Sequence, residues 1–252
     1  MDEKPKLEPD QEMARRTRRS FLVGGVAAAA GVGVWEFIRF AHPEGGVPWP
    51  LRQALEVNEQ LSRGYFKPTR LAKEFPLSSA TMPKVNGEVG LDDDDFDVDK
   101  WSLEVDGLNT DDGTATLSMA DIKALPRVEM VTQLKCIEGW SKIVHWAGAR
   151  FADFARKYPP AISGSDSYVA LSTPDNGYYV GLDLPGAMHP QTLLCYEMNG
   201  QPLEDEHGAP LRLVIPARYG IKNLKRIGRI EFTASRPPDY WAERGYDYYS
   251  GF

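Results

Sequence analysis

The sequence predicts an α+β fold, with mixed β-sheets and short helices in a single catalytic domain. Short apolar segments bounded by Gly, Pro or Asn recur through the second half of the chain, which is typical of strands. Helical segments fall irregularly among them, without the regular alternation that builds a parallel α/β sheet. The chain also has no Gly-rich dinucleotide-binding motif.

The first half of the chain supplies few regular elements. Residues 51–61 carry apolar side chains at helical spacing and predict a short amphipathic helix. Residues 65–83 show no clear period and predict no regular element. Residues 101–105 alternate between apolar and polar side chains, as a strand does, and a turn follows at Asp106 and Gly107. Residues 118–125 predict a short helix that Ser118 caps.

The second half is rich in strands. The predicted strands, each bounded by turn residues, cover residues 128–135, 168–172, 178–182, 192–198, 211–215 and 229–234. One helix, at about residues 150–157, interrupts them.

Composition excludes several classes of protein. The 252 residues, 42% hydrophobic and 26% charged, are ordinary for a globular protein. A formal net charge of -7 argues against a protein that binds the phosphate backbone of nucleic acid. The acidic run at residues 92–95 lacks the spacing of a calcium loop and predicts a solvated surface. Two cysteines, Cys136 and Cys195, cannot build a disulfide framework or a four-cysteine zinc site.

The N-terminus has the layout of an export signal. Four arginines between residues 15 and 19 precede an apolar run over residues 21–35. Residues 17–22 (TRRSFL), where the arginines meet the apolar run, resemble the twin-arginine signal, which exports folded proteins. The alternative is an uncleaved membrane anchor, because residues 21–40 have about the 20-residue length that spans a bilayer. We therefore expect a periplasmic or extracytoplasmic protein.

These features predict three segments. Residues 1–41 form the signal or anchor, residues 42–82 form an N-terminal extension, and residues 83–252 form the catalytic domain. Cys195 lies in an apolar strand, where a small buried thiol is the ordinary explanation.

Cys136 follows a predicted strand, beside Lys135, and a neighbouring cation favours the thiolate. These residues alone leave three interpretations of Cys136 open. Cys136 is a free buried cysteine, a ligand for a soft or high-valent metal, or a nucleophile partnered by His145 or His189. His189 precedes Pro190 and either reaches the substrate side or caps a loop.

Residues 134–141 (LKCIEGWS) resemble the molybdenum-binding segment of the sulfite-oxidase family, especially its bacterial periplasmic branch of methionine-sulfoxide reductase catalytic subunits. Further blocks match in order, and ordered blocks are more specific than one motif. The blocks are residues 85–90 (VNGEVG), 187–190 (AMHP), 207–216 (HGAPLRLVIP) and 219–225 (YGIKNLK). The resemblance spans residues 83–241 and implies the molybdopterin-binding fold of that family.

The resemblance implies a molybdenum atom held by one molybdopterin and by the sulfur of Cys136, with no haem in this chain. Arg212 and Lys225 are suited to a buried phosphate, because charge-assisted hydrogen bonds to phosphate are strong. His207 stands where the reductase branch has Asn. The residues implied to line the cofactor, besides Cys136, are Asn86, Val89, Gly90, Thr173, His207, Arg212, Asn223, Leu224 and Lys225.

The implied chemistry is oxygen-atom transfer at sulfur, carried by the cofactor and positioned by the protein. Sulfite oxidation needs a strongly cationic pocket, for which Lys142, Arg218 and Lys222 are the candidates, and reduction of an S-oxide needs a less charged one. The resemblance favours reduction of an S-oxide such as methionine sulfoxide, small or protein-bound. Sulfite oxidation and a metal-free anchored binding module stay as alternatives. Electrons would come from a separate partner, a haem protein at the membrane.

Overall fold

The computed structural model describes residues 9–44, 46–87, 89–91 and 96–251. The acidic run at 92–95 lies outside the described residues, as does Glu88 of the first matching block. The chain divides into two compact units, residues 1–54 and 55–252. The predicted segment boundaries at residues 41 and 82 stay a prediction.

The described part of the first unit is dominated by one helix, α1 (Pro9–Phe40), and a two-residue hairpin of β1 (Pro43–Glu44) and β2 (Val47–Pro48). The stretch from Arg15 to Phe40 is long and apolar enough to cross a membrane, and its hydropathic window is fully exposed. A signal sequence has the same length and composition. Helix α2 (Trp49–Tyr65) runs across the boundary into the second unit.

The second unit holds the remaining helices and strands. The helices are α3 (Met119–Lys123), α4 (Phe151–Lys157) and α5 (Leu184–Ala187). The strands are β3 (Leu103–Asp106), β4 (Thr114–Leu117), β5 (Arg127–Lys135), β6 (Ser141–Arg150), β7 (Tyr168–Ser172), β8 (Tyr179–Asp183), β9 (Leu193–Met198), β10 (Gln201–Pro202), β11 (Arg212–Val214) and β12 (Arg229–Thr233).

Two five-stranded sheets organise the second unit. The first is antiparallel in the order β10-β9-β6-β5, with β11 also paired to β9. The second has the order β4-β3-β12-β7-β8, in which β12 pairs parallel to β3 and the other pairs are antiparallel. Mixed sheets with short helices confirm the predicted α+β class.

Local sequence signals account for several boundaries. The predicted strand at 168–172 is correct to the residue. Ser118 caps α3 as predicted, and a reciprocal capping box joins it to Asp121, although α3 ends at Lys123 rather than at residue 125. The sequence analysis omitted β6, the longest strand. This strand lies between β5 and β9 and is buried over residues 144–149, so it lacks the alternation that marks a half-exposed strand.

Apolar side chains from both sheets form the main core, together with α4 and α3. In the first sheet, the pairing of β6 with β9 shifts its register between Ala147 and Gly148, and the two backbones approach closely there. A Cβ atom at Gly148 would lie 2.2 Å from the carbonyl oxygen of Leu194, so only glycine permits this approach. Strands β5 and β11 belong to this sheet, and their ends carry the site residues described next.

Candidate active site

Cys136 lies in the loop that joins β5 to β6. Its amide donates to the carbonyl oxygen of Trp140 (2.9 Å), and the amide of Gly139 donates back to the carbonyl oxygen of Cys136 (3.2 Å). Gly139 has a φ of +87°, which favours glycine in this tight turn. The hairpin therefore fixes the backbone of Cys136 and leaves its half-buried thiol at the end of an ordered strand.

The thiol of Cys136 opens on a cleft of about 120 Å³. The cleft collects residues that lie far apart in the sequence, because β5, β11 and the segment before residue 91 meet there. Seven of the predicted cofactor residues line it: Asn86, Val89, Cys136, His207, Arg212, Asn223 and Lys225.

Asn86 and Lys225 hold one edge of this cleft. The side-chain amide of Asn86 donates to the Sγ of Cys136 (3.6 Å) and to Glu138 (3.4 Å). The Nζ of Lys225 donates to the carbonyl oxygens of Asn86 (2.8 Å) and Gly87 (3.0 Å). Lys225 thus ties the 86–87 segment to the cleft, and Asn86 supplies a hydrogen bond to the sulfur.

Gly90 and Thr173 form the wall behind the lining. The Oγ1 of Thr173 accepts from the amide of Tyr178 (3.1 Å), which closes the loop between β7 and β8. A Cβ atom at Gly90 would lie 2.6 Å from Thr173, and the φ of Gly90 is +76°. Leu224 is fully buried in the core, and its carbonyl oxygen accepts from the amide of Leu213. These predicted residues support the cleft from behind.

Arg212 is a buried cation that has no carboxylate partner among the described residues. Its side chain is 3% exposed and donates only to carbonyl oxygens, of His207 (2.9 Å) and Asn223 (3.4 Å). Its Nε is buried without a hydrogen-bond partner. Burial lowers the pKa of Arg212, and only Cys195 opposes this. A phosphate is the group that this arrangement lacks, so Arg212 fits the phosphate of the expected cofactor.

Two neighbours of Arg212, His207 and Asn223, also line this cleft. Burial lowers the pKa of His207, and the cations of Arg212 and Lys225 lower it further, so the neutral imidazole is favoured. The side chain of Asn223 is engaged with protein: its Oδ1 accepts from the amide of Ile215 (2.9 Å), and its Nδ2 donates to Tyr219. Asn223 therefore orders the loop after β11.

The two cations predicted to be catalytic do not line the cleft around Cys136. Arg218 forms a buried ion pair with Asp183 (2.8 Å). Lys222, whose side chain is 1% exposed, pairs with Asp239 and donates to the carbonyl oxygen of Gly181 (2.9 Å). Each positive charge is thus neutralised by a buried carboxylate outside the cleft.

The histidines offered as partners of Cys136 are engaged elsewhere. His145 pairs with Glu129 (3.1 Å). One ring nitrogen of His189 accepts from the amide of Gln191 (3.2 Å), and the other lies 3.2 Å from the carbonyl oxygen of Arg70. His189 therefore caps a loop, which is the second of the two roles that the sequence left open for it. Cys195 is buried and free, and burial raises its pKa to about 12, so it stays a neutral thiol as expected.

The sequence analysis missed the aromatic residues of the cleft. Tyr178, Trp140 and Trp241 line it beside the predicted polar residues. The hydroxyl of Tyr178 donates to the carbonyl oxygen of Ile221, and burial raises the pKa of Tyr178. Trp140 donates to Glu138 (3.1 Å). Trp140 belongs to the matching block at residues 134–141, but the sequence does not show that its ring faces the cleft.

Comparisons with known proteins agree with this geometry. The family described as "Oxidoreductase molybdopterin binding domain" matches residues 90–241. A candidate protein-methionine-sulfoxide reductase subunit, YedZ1 of Azospira oryzae, is 35% identical over 94% of this chain and 88% of its own length. The protein-methionine-sulfoxide reductase catalytic subunit MsrP of Ralstonia nicotianae is 29% identical over 92% of this chain and 74% of its own length.

A solved structure supports the fold. The sulfane dehydrogenase SoxCD from Paracoccus pantotrophus superposes with a TM-score of 0.50 at 15% identity, over 56% of this chain and 40% of that chain. At this identity the likeness concerns architecture alone. The family match, however, covers residues 90–241, which include the cleft residues Cys136, Arg212 and Trp241. The chain therefore belongs to the sulfite-oxidase family of molybdopterin-binding oxidoreductases.

Proposed function

We propose that this oxidoreductase reduces an S-oxide, with methionine sulfoxide as the substrate class. The observation that carries the proposal is the apolar and aromatic lining of the cleft around Cys136. A sulfite pocket needs unneutralised cations near the metal. Of the three that the sequence offered, Lys142 does not line the cleft, and Arg218 and Lys222 are paired with buried carboxylates outside it. Among the cations that do line the cleft, Arg212 and Lys225 are assigned to the cofactor. The names of the similar proteins from Azospira and Ralstonia support the same substrate.

The walls of the cleft also suit a neutral, partly apolar substrate. Carbon-rich side chains surround the thiol, and they can pack against the methyl and methylene groups of an oxidised methionine. The hydroxyl of Tyr178 stays protonated because burial raises its pKa, and it donates to the carbonyl oxygen of Ile221, so this side chain presents no charge to a substrate. The apolar and aromatic lining comprises Pro83, Val89, Leu134, Trp140, Tyr178, Ile221 and Trp241.

Molybdopterin, when bound, would supply the metal and the two-electron chemistry. The proposed reaction converts R₂SO, two electrons and two protons into R₂S and water. Cys136 would hold the molybdenum through its sulfur, and Arg212 would hold the phosphate, since its buried charge lacks a carboxylate. Lys225 would keep the 86–87 segment against the cofactor. Asn86 would orient the thiolate of Cys136.

Localisation and the electron donor belong to the same proposal. The arginine pair at residues 18–19 and the apolar helix from Arg15 to Phe40 support export of the folded protein by the twin-arginine route, with or without retention as an anchor. The reaction consumes two electrons that this chain does not store. We therefore propose a separate haem protein at the membrane as the donor, and the word "subunit" in the names of both relatives supports this.

The direct test measures both directions of catalysis on protein from a host that makes molybdopterin. Reduction of methionine sulfoxide with a reduced viologen is compared with oxidation of sulfite by an artificial acceptor. We expect turnover of methionine sulfoxide and near-stoichiometric molybdenum. Turnover of sulfite alone would refute the proposed direction, and wild-type protein without molybdenum would refute the enzyme.

Cys136→Ser is the matched variant. The half-buried side chain changes by one atom, so the free energy of unfolding should stay within about 0.5 kcal/mol of wild type. Molybdenum content and turnover should be lost, because a hydroxyl replaces the soft thiolate. Cys195→Ser is the control, since that thiol is buried away from the cleft and should leave the metal in place.

A further inference from the structure

A second cleft, of about 250 Å³, lies beside the one that holds Cys136. The described residues that line it include no Asp or Glu. Its rim carries exposed cations, although the chain as a whole has a formal net charge of -7. We call it the cationic cleft, after the positive residues Lys67, Arg70, Lys73 and Lys135. Arg218 also lines it, with its charge paired to Asp183.

The floor of the cationic cleft contains an unused hydrogen-bond donor. Tyr249 is 5% exposed, lines the cleft, and its hydroxyl has no hydrogen-bond partner. Burial raises the pKa of Tyr249, so the hydroxyl keeps its proton. The guanidinium of Arg218 lies over the Tyr249 ring and also approaches Phe66. A buried donor without an acceptor is unfavourable, which points to an acceptor brought by a ligand.

The two clefts meet at the end of β5. Leu134 and Cys136 line the first cleft, whereas Gln133 and Lys135 line the cationic cleft, as the alternation of side chains along a strand requires. Strand β5 is at the edge of its sheet and ends at Lys135, so no further strand separates the two clefts there. A peptide that passes the strand end at Lys135 and Cys136 would therefore contact both clefts.

Exposure and aromatic content indicate what kind of ligand fits. Lys67, Arg70 and Lys73 are exposed and form no ion pair among the described residues, so an incoming carboxylate does not have to displace an acidic partner. The ring of Tyr65 packs under Arg70 (3.6 Å from the guanidinium carbon to the ring centre), and Lys73 lies over Phe75. An elongated ligand with several negative groups and apolar carbons between them matches this pattern better than a single small oxyanion does.

We propose that the cationic cleft binds an acidic stretch of polypeptide flanking an oxidised methionine, so that the enzyme selects protein-bound substrates by the charge beside the sulfoxide. This inference rests on the proposed reduction of methionine sulfoxide and adds its substrate class. Carboxylates of the bound peptide pair with the cations of the rim. One carboxylate reaches the hydroxyl of Tyr249.

The test uses the molybdenum-loaded protein and three peptides with a central methionine sulfoxide, flanked by Glu, Gln or Lys. Free methionine sulfoxide is the fourth substrate. We expect kcat/KM to follow the order Glu, then Gln, then Lys, with about a tenfold advantage of Glu over Gln from three exposed ion pairs. The advantage should fall as ionic strength rises, because the Debye length shortens to roughly 10 Å at 0.1 M.

The variant Lys67→Gln/Arg70→Gln/Lys73→Gln should bring the ratio between the Glu and Gln peptides close to one. The control removes the same charge from exposed lysines elsewhere, Lys100→Gln/Lys123→Gln/Lys157→Gln, and should keep the tenfold ratio. Tyr249→Phe should raise KM for the Glu peptide several-fold and leave kcat unchanged. Should the triple cleft variant not fold, the salt dependence of the wild-type ratio decides.

The outcomes separate the two proposals. Turnover of free methionine sulfoxide with equal rates on all three peptides would refute the acidic preference and leave the proposed function standing. If neither free methionine sulfoxide nor any of the three peptides is reduced, the proposed function and the inference are both refuted. Sulfate that inhibits the Glu and Gln peptides equally, at constant ionic strength, would identify a small-anion site and overturn the peptide assignment.

Discussion

Replacing Arg212 by Met tests whether this side chain is built for a ligand or for the fold. In the cofactor-free protein, the change leaves two carbonyl oxygens, of His207 and Asn223, without their donor, at roughly 1 kcal/mol each. It also removes a charge that is buried without a carboxylate, which is worth several kcal/mol in the opposite direction. We therefore expect the free energy of unfolding to be unchanged or raised by up to about 2 kcal/mol.

The loaded protein should respond in the opposite way. Two charge-assisted hydrogen bonds to a phosphate contribute about 1.5–3 kcal/mol each, so Arg212→Met should weaken cofactor binding by roughly 10²- to 10⁴-fold. Urea unfolding of the cofactor-free protein gives the first quantity. The pterin content of purified protein, measured by the fluorescence of its oxidised form, gives the second and does not depend on turnover.

Arg218→Met is the matched control, because both arginines are buried. Loss of Arg218 leaves Asp183, whose side chain is 9% exposed, as an unpaired buried charge, and this should lower the free energy of unfolding by about 3–5 kcal/mol with or without cofactor. A similar loss in cofactor-free Arg212→Met would show that Arg212 supports the fold, and the phosphate argument would then be wrong.

Three further predictions concern stability. Gly90→Ala should lower the free energy of unfolding by about 2–4 kcal/mol in urea, because a Cβ atom there has a positive φ and would clash with Thr173; an unchanged midpoint would show that this wall can move. Lys222→Met should destabilise the loaded and cofactor-free forms alike, by about 3–5 kcal/mol, since Asp239 is left buried; a loss of turnover at constant stability would instead restore a catalytic role. Burial and neighbouring cations lower the pKa of His207, so the unfolded chain binds that proton more readily and stability falls as pH drops below about 6.5; His207→Asn should reduce this slope in pH-dependent urea unfolding, and an identical slope would count against the buried neutral imidazole.

Short-range patterns determined much of the fold and part of the site. Alternating side chains located β7, and the hydroxyl of Ser118 with Asp121 fixed the start of α3. Cys136 was recognisable at a strand end, and the ordered blocks around it predicted Asn86 and Arg212 as its neighbours, which the structure brings into one cleft. These features depend on residues close in sequence or on a family pattern, so they can be read without coordinates.

The tertiary structure decided which charges are available. Arg218 and Lys222 look alike in the sequence, as free cations near the cofactor segment. Their partners, Asp183 and Asp239, lie 35 and 17 residues away, and only the fold brings them within an ion-pair distance. The energy of a charge depends on its burial and its partners, which no local pattern contains.

Strand β6 and the cationic cleft also depend on contacts between residues that lie far apart in the sequence. Strand β6 is held by two neighbouring strands, so its burial on both faces hides the alternation that a sequence pattern needs. The cationic cleft combines the end of α2 and residues 66–75, which show no clear period, with Arg218 and Tyr249 from far along the chain. The sequence by itself determined the family, the thiol and the strand that leads to it, whereas long-range packing determined which cations are neutralised by buried carboxylates and which are exposed to a substrate.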